Sequence, residues 1–138
     1  KFCDNELLNK FMKFDLIRDY LESKISEIEV ENKNKNIKVE FGINGRSLTN
    51  IGTFRVYIEC YLKSNTKIHK NMTFLVRQLT PSRNGLPLEI YVFSNDTNWA
   101  NYEKIQADIF DHLLAIIPKF ELRIFQDPTG SDFQKITN

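Results

Sequence analysis

The residues of this chain that could carry chemistry are His69, His112, Cys3, Cys60, and the arginines Arg46 and Arg55. A zinc site needs three or four converging ligands. The two histidines and two cysteines lie at no spacing that supplies them, so no metal is expected. Asp108 stands four residues before His112, a spacing that on a helix predicts an ion pair. Cys60 sits among Tyr57, Ile58, Tyr61 and Leu62 and reads as a small core residue. Cys3 has no base beside it, and no Ser-His-Asp order with supporting motifs appears, so no catalytic residue is assigned. Arg46 follows Asn44-Gly45 just ahead of a helix start, a place where a phosphate can be held. The loop lacks the glycines that would wrap one, and Arg46 and Arg55 are expected to form ion pairs or to cap carbonyls. There is no Gly-rich nucleotide loop, and no cofactor is expected. The carboxylates Glu22, Glu27, Glu29, Asp108 and Asp111 fall on helix faces, as solvated charges do.

The elements that must position these groups follow from periodicity. Leu7, Phe11, Phe14, Ile17, Leu21, Ile25 and Ile28 recur at three and four, which predicts one long amphipathic N-terminal helix capped by Asp4 or Asn5. Residues 31–36 are polar and low in complexity and are expected to form a loop. Ile37, Val39 and Phe41 alternate with Lys38 and Glu40, as in a half-buried strand. Thr49 or Asn50 should cap a helix carrying Ile51, Phe54, Ile58, Tyr61 and Leu62. Strands are expected over 71–79 and 88–93. Trp99, Tyr102, Ile105, Ile109, Leu113 and Ile116 should line one face of a further helix, which Pro118 ends. A last strand is expected over 120–125, and a loose polar tail over 131–138.

The order after the first helix is β-α-β-β-α-β. The expected fold class is α+β: a ferredoxin-like antiparallel sheet with two helices on one face, preceded by the long N-terminal helix. The expected division is a connecting helix over 1–30, a ferredoxin-like unit over 31–130 and the tail. Alternation turns Val39, Phe41, Phe74, Val76, Leu88, Ile90, Val92, Phe120, Leu122 and Ile124 toward the helices. Leu75, Arg77, Glu89, Tyr91, Phe93, Glu121, Arg123 and Phe125 face away. That outer face is expected to carry cross-strand ion pairs, such as Glu121 with Arg77 or Arg123, or to meet a partner. Tyr91 and Phe93 sit where RNA-recognition modules stack bases. Glu40, Glu89 and Glu121 share the face and would repel phosphates, so no nucleic acid is expected.

A length of 138 residues fits one domain, with 41% hydrophobic residues to build a core and 27% charged residues. The formal net charge of +1 gives no reason to expect a polyanion partner. No apolar run reaches the roughly 18 residues of a membrane helix. Two lone cysteines fit a reducing compartment better than a disulfide framework. A chain that starts at Lys1 is expected to be an excised piece.

Two blocks carry a resemblance. One is Asn44-Gly45-Arg46-Ser47-Leu48-Thr49-Asn50-Ile51-Gly52-Thr53-Phe54-Arg55-Val56-Tyr57. The other runs over 86–120 and includes Leu88-Glu89-Ile90-Tyr91-Val92-Phe93 and Asn98-Trp99-Ala100-Asn101-Tyr102. Together they resemble the cytoplasmic C-terminal part of bacterial small-conductance mechanosensitive (MscS-like) channels, in the miniconductance (YbdG-like) branch. The resemblance implies a homo-oligomer, heptameric in the wider family, anchored in the bacterial inner membrane by transmembrane helices outside this sequence. It implies a vestibule-forming and assembly role without gating or catalysis, in a channel that releases solute on osmotic downshift. It also implies that residues 1–3 end a preceding β-domain, and that the isolated piece is monomeric. Asn50, Gly52, Thr53 and Arg55, with Arg46, Tyr91, Phe93, Arg123 and Phe125, are the candidate interface or structural positions. Gly52 has a local reason, close packing of the helix's first turn, and a subunit contact as the alternative. Two other readings stay open: an acylphosphatase-like enzyme using Arg46, and a stand-alone ferredoxin-like ligand- or RNA-binding module.

Overall fold

The computed structural model describes residues 1–37 and 43–128. The expected strand around Val39 and Phe41, and the tail over 131–138, lie outside the described residues.

The N-terminal stripe is helical but not one helix. Helix α1, Asn5–Phe11, is capped by Asp4, whose Oδ1 accepts from the Leu7 N–H at 2.8 Å. Phe14 then turns extended, and a 3-10 turn, Asp15–Ile17, leads into α2, Arg18–Asn34. Arg18 holds the break by donating from Nε to the Met12 carbonyl at 3.1 Å and by pairing with Asp15. The break has a packing reason: it brings both Phe11 and Phe14 against Phe120, with ring centroids 5.0 and 5.4 Å away. Helix α2 also extends to Asn34, into the polar stretch 31–36 expected to be a loop, where Asn32 is buried and continues the Leu21, Ile25, Ile28 spacing; only Lys35 and Asn36 form a turn.

Helix α3, Asn50–Ser64, starts at Thr49, whose Oγ1 accepts from the Gly52 N–H at 3.2 Å. It buries Thr53, Phe54, Val56, Ile58 and Leu62. Lys70 closes its other end, with Nζ donating to the carbonyls of Leu62 at 2.6 Å and Asn65 at 2.5 Å. Such a cation suits the unsatisfied carbonyls of a helix C-terminus.

Strands β1, Leu75–Gln78, and β2, Leu88–Tyr91, form an antiparallel hairpin with Val76 opposite Ile90 and Arg77 opposite Glu89. Both are shorter than expected. Gly85, at φ +95°, makes the connecting turn, where a side chain would be strained. The faces are as alternation required at these positions: Val76 is buried, while Leu75 and Tyr91 are exposed. The cross-strand ion pair differs. Arg77 pairs with Glu89, its register partner, and Glu121 pairs instead with Lys1 at 2.6 Å.

Helix α4, Trp99–Ile116, is capped by Asn98, which accepts from the Asn101 N–H at 3.2 Å. It buries Ile105, Ile109 and Leu113, whereas Trp99, at 73% exposed, does not share that face. Pro118 ends the helix, and a 3-10 turn, Ile117–Phe120, plants Phe120 in the core.

The expected strand over 120–125 is absent: residues 122–128 carry no regular structure. Glu121 sits at φ +54°, a left-handed conformation that caps the turn and cannot belong to a strand. The described sheet is therefore two-stranded, and the chain is a mixed helix-and-sheet, α+β protein. The core joins α1, α2, α3, the hairpin and α4 through Phe11, Leu21, Phe54, Leu62, Val76, Ile109 and Phe120.

Candidate functional site

The candidate positions fall in three places. The first is the turn before α3. Arg46 donates from Nη1 to Glu31 at 2.9 Å and also holds Glu27, so both partners come from α2. Arg55 pairs with Glu59 one turn on, at 2.7 Å. The expected ion pairs of both arginines are thus formed, and neither guanidinium points at a vacant anion site. Above the arginine, Asn32 acts as a clamp on the backbone. Its Nδ2 donates to the Arg46 carbonyl at 2.9 Å, and its Oδ1 accepts from the Arg46 N–H at 3.0 Å. Sequence reasoning missed Asn32; the signal was its place on the α2 stripe, four residues after Ile28.

Folding lowers the carboxyl pKa of both glutamates. For Glu27 the hydrogen bond from Lys24 is the larger cause and that from Arg46 the second; for Glu31 the order is Lys35, then Arg46. Groups depressed on folding stabilise the folded chain above their unfolded pKa. That contribution fades as pH falls through the lowered values. Arg46→Gln should therefore lower the melting temperature slightly at pH 7, and the difference should shrink as pH falls through the lowered carboxyl values. A melting series over pH on the two chains checks this. A difference that persists undiminished in acid would assign the effect to something other than these pairs.

Asn50, Gly52 and Thr53 open α3 and are structural in their contacts. Asn50 is buried and bonded on every side. Its Oδ1 accepts from the Lys1 nitrogen at 2.8 Å and the Ile51 N–H at 2.9 Å. Its Nδ2 donates to the carbonyls of Phe120 at 3.1 Å and Glu121 at 3.2 Å. Thr53 is fully buried and donates from Oγ1 to the Thr49 carbonyl at 2.9 Å. A Cβ on Gly52 would stand 2.9 Å from the Thr49 Oγ1, so the tight contact lies within the cap of its own helix.

The second place is the outer hairpin face. Tyr91 and Phe93 meet edge to face, with centroids 5.6 Å apart and planes at 87°. Beside them lie exposed Leu75 and the Arg77–Glu89 pair. Two aromatics beside a mutually neutralising ion pair give this face apolar surface and no unpaired charge from that pair.

The third place holds Arg123 and Phe125, which alternation had turned to that outer face. With the strand lost, both line an open apolar groove of about 670 Å³ instead, with Phe54, Ile58, Leu88, Phe110 and Ile124.

Of the groups with nucleophilic or acid-base potential, both cysteines pack against the core, and His69 Nδ1 accepts from the Asn71 N–H at 3.2 Å. His112 is not paired to Asp108 as the spacing suggested. Its Nε2 lies 3.0 Å from the Tyr57 hydroxyl, and its ring stacks on Tyr61 with centroids 4.2 Å apart. Two tyrosines from α3 reach the ring and provide it with a hydroxyl and an aromatic face. Burial raises the thiol pKa of both Cys3 and Cys60, which keeps them in the unreactive thiol form at neutral pH. Among the described residues no three His, Cys, Asp or Glu side chains converge as a metal site would need. No described helix is long and apolar enough to cross a membrane.

A family model described as "Mechanosensitive ion channel MscS, C-terminal" matches residues 54–124. The match covers α3 from Phe54, the hairpin, α4 and the stretch to Ile124, which is the part of the chain that builds all but the N-terminal side of the core. No solved structure matches the chain.

Proposed function

The chain belongs to the mechanosensitive ion channel MscS C-terminal family, and from that membership we propose that it is the cytoplasmic, non-enzymatic lobe of a bacterial inner-membrane channel. The whole channel releases solutes when external osmolarity falls. Tension sensing and gating belong to transmembrane helices outside this sequence. The lobe walls a vestibule beneath the pore and serves assembly of a homo-oligomer, a heptameric ring as in the wider family, while the isolated piece is monomeric. The block from Arg46 to Tyr57 supports a place in the miniconductance, YbdG-like branch. We assign α3, the hairpin and α4 to the helix, hairpin and helix part of a ferredoxin-like unit over 31–130, whose last expected strand does not form among the described residues.

One observation carries the reading: the family match spans a contiguous helix–hairpin–helix unit. The arginine geometry favours it over a phosphate-handling enzyme, because Arg46 is already held by Glu27 and Glu31. The test is expression of the full-length gene in bacteria stripped of their own mechanosensitive channels. Patches of their membrane should show tension-activated currents, and cells should survive dilution into low-osmolarity medium better than cells lacking the gene. An intact, membrane-inserted product that passes no current under tension would overturn the proposal.

A further inference from the structure

The chain arrives at the domain through residues 1–3 and leaves its core after Phe120, and one side chain touches both. Residues 1–3 lie antiparallel to the segment before α3, with Phe2 bridged to Thr49. The Cys3 N–H donates to the Leu48 carbonyl at 2.8 Å and the Asn50 N–H to the Lys1 carbonyl at 3.1 Å. The carboxamide of Asn50 then spans the gap: its oxygen accepts from the α-ammonium of Lys1, and its nitrogen donates to the carbonyls of Phe120 and Glu121. Asn50 is 2% exposed, so water does not compete for these bonds. The outgoing side is held under strain, since Glu121 is a non-glycine residue in the left-handed region. The Lys1–Glu121 pair crosses the same gap, but both side chains are about half exposed and such a pair contributes little.

We propose that Asn50 is a positioning residue that couples the incoming chain at residues 1–3 to the outgoing chain at Phe120, Glu121 and Leu122. A displacement of one end is passed to the other through a single carboxamide, without passing along α3 or α4. The coupling is a property of the chain that begins at Lys1, whose α-ammonium is the donor on the incoming side. A carboxamide suits the task because it carries an acceptor and a donor at once. Aspartate keeps the acceptor for the incoming side and has no donor for the outgoing one.

That difference makes the test. Amide hydrogen exchange is followed at Glu121 and Leu122, whose N–H groups donate to the carbonyls of Pro118 and Ile117. Ile109 and Leu113 in α4 serve as internal controls. Cys3→Pro removes the donor that fixes the incoming chain. In the chain carrying Asn50 it should speed exchange at Glu121 and Leu122 by about fivefold or more, the lower bound of an ordinary coupling between sites. In an Asn50→Asp background those two amides should already exchange faster, and Cys3→Pro should add nothing. The inference fails if Cys3→Pro leaves Glu121 and Leu122 unchanged beside Asn50, or moves them equally in both backgrounds. If Cys3→Pro unfolds the chain, protection at Ile109 and Leu113 is lost too. Phe2→Gly then loosens the incoming chain more gently and is judged by the same comparison.

Discussion

Phe120→Ala should destabilise the chain by about 3–5 kcal/mol, the range for truncating a buried aromatic ring. Phe120 is 1% exposed, and four rings surround it: Phe11 and Phe54 at 5.0 Å, Tyr57 at 5.3 Å and Phe14 at 5.4 Å. These neighbours come from α1, the turn before α2, and α3, so the ring is the common contact of three separate segments. Truncation loses the transfer free energy of the ring and leaves a cavity. The walls cannot collapse into it cheaply, because each is itself a ring anchored in its own helix or turn. A domain of this size is stable by only about 5–15 kcal/mol in total, so the variant should be near the limit of folding. Phe120→Leu, which fills more of the space, should cost appreciably less. Urea unfolding of the three chains checks this: the midpoint should fall in the order wild type, Leu, Ala with the slope unchanged. A loss below about 1 kcal/mol for Phe120→Ala would show that the four rings close over the gap, contrary to a close-packed interior.

The sequence disclosed what depends on near neighbours. The caps of α1 and α3 were legible to within one residue, as Asp4 or Asn5 and Thr49 or Asn50, because a cap bonds residues three positions away. The inner face of α3 at Phe54, Ile58 and Leu62 and of α4 from Ile105 onward was legible because burial there follows a fixed period, whereas Trp99 and Tyr102 are exposed. Pro118 was legible as a stop. What failed was set by distant partners. His112 has Asp108 at the right spacing, yet Tyr57 and Tyr61 arrive from another helix and take its ring. The segment after Phe120 has the alternation of a strand, but Glu121 at positive φ breaks it, and no local pattern announces that conformation. The N-terminal stripe was periodic enough to read as one helix. It breaks at Phe14, whose ring packs on Phe120 from a distant part of the chain. At the candidate site the residue types were visible and their roles were not. Asn50 looked like one polar residue in a resembling block. Its partners at Lys1, Phe120 and Glu121 lie far away in sequence, and only the fold brings them to it.

Asn32 and Gly45 likewise meet only through the fold, and their dependence on each other can be measured. Gly45 does not have a positive φ, so its need for glycine is one of space. A Cβ there would stand 2.6 Å from Asn32 Oδ1, 3.0 Å from Asn32 Cγ and 3.0 Å from Ile37 Cγ2. Asn32 cannot swing aside freely, because its buried carboxamide holds both the N–H and the carbonyl of Arg46. Gly45→Ala should therefore break the clamp and cost about 2–3 kcal/mol, the sum of two hydrogen bonds and the exposure of their backbone partners. Asn32→Ala alone should cost a similar amount, by deleting the same two bonds directly. The decisive measurement is the double variant. Once the carboxamide is gone, the new methyl at position 45 meets only the Ile37 side chain, so Gly45→Ala should add little to Asn32→Ala. The two losses should then fall short of additivity by about 2–3 kcal/mol, nearly the whole cost of Gly45→Ala, as contacting residues can. If the double variant instead loses the full sum, Gly45 and Asn32 stabilise the turn independently, and the clamp is not the reason the position excludes a side chain.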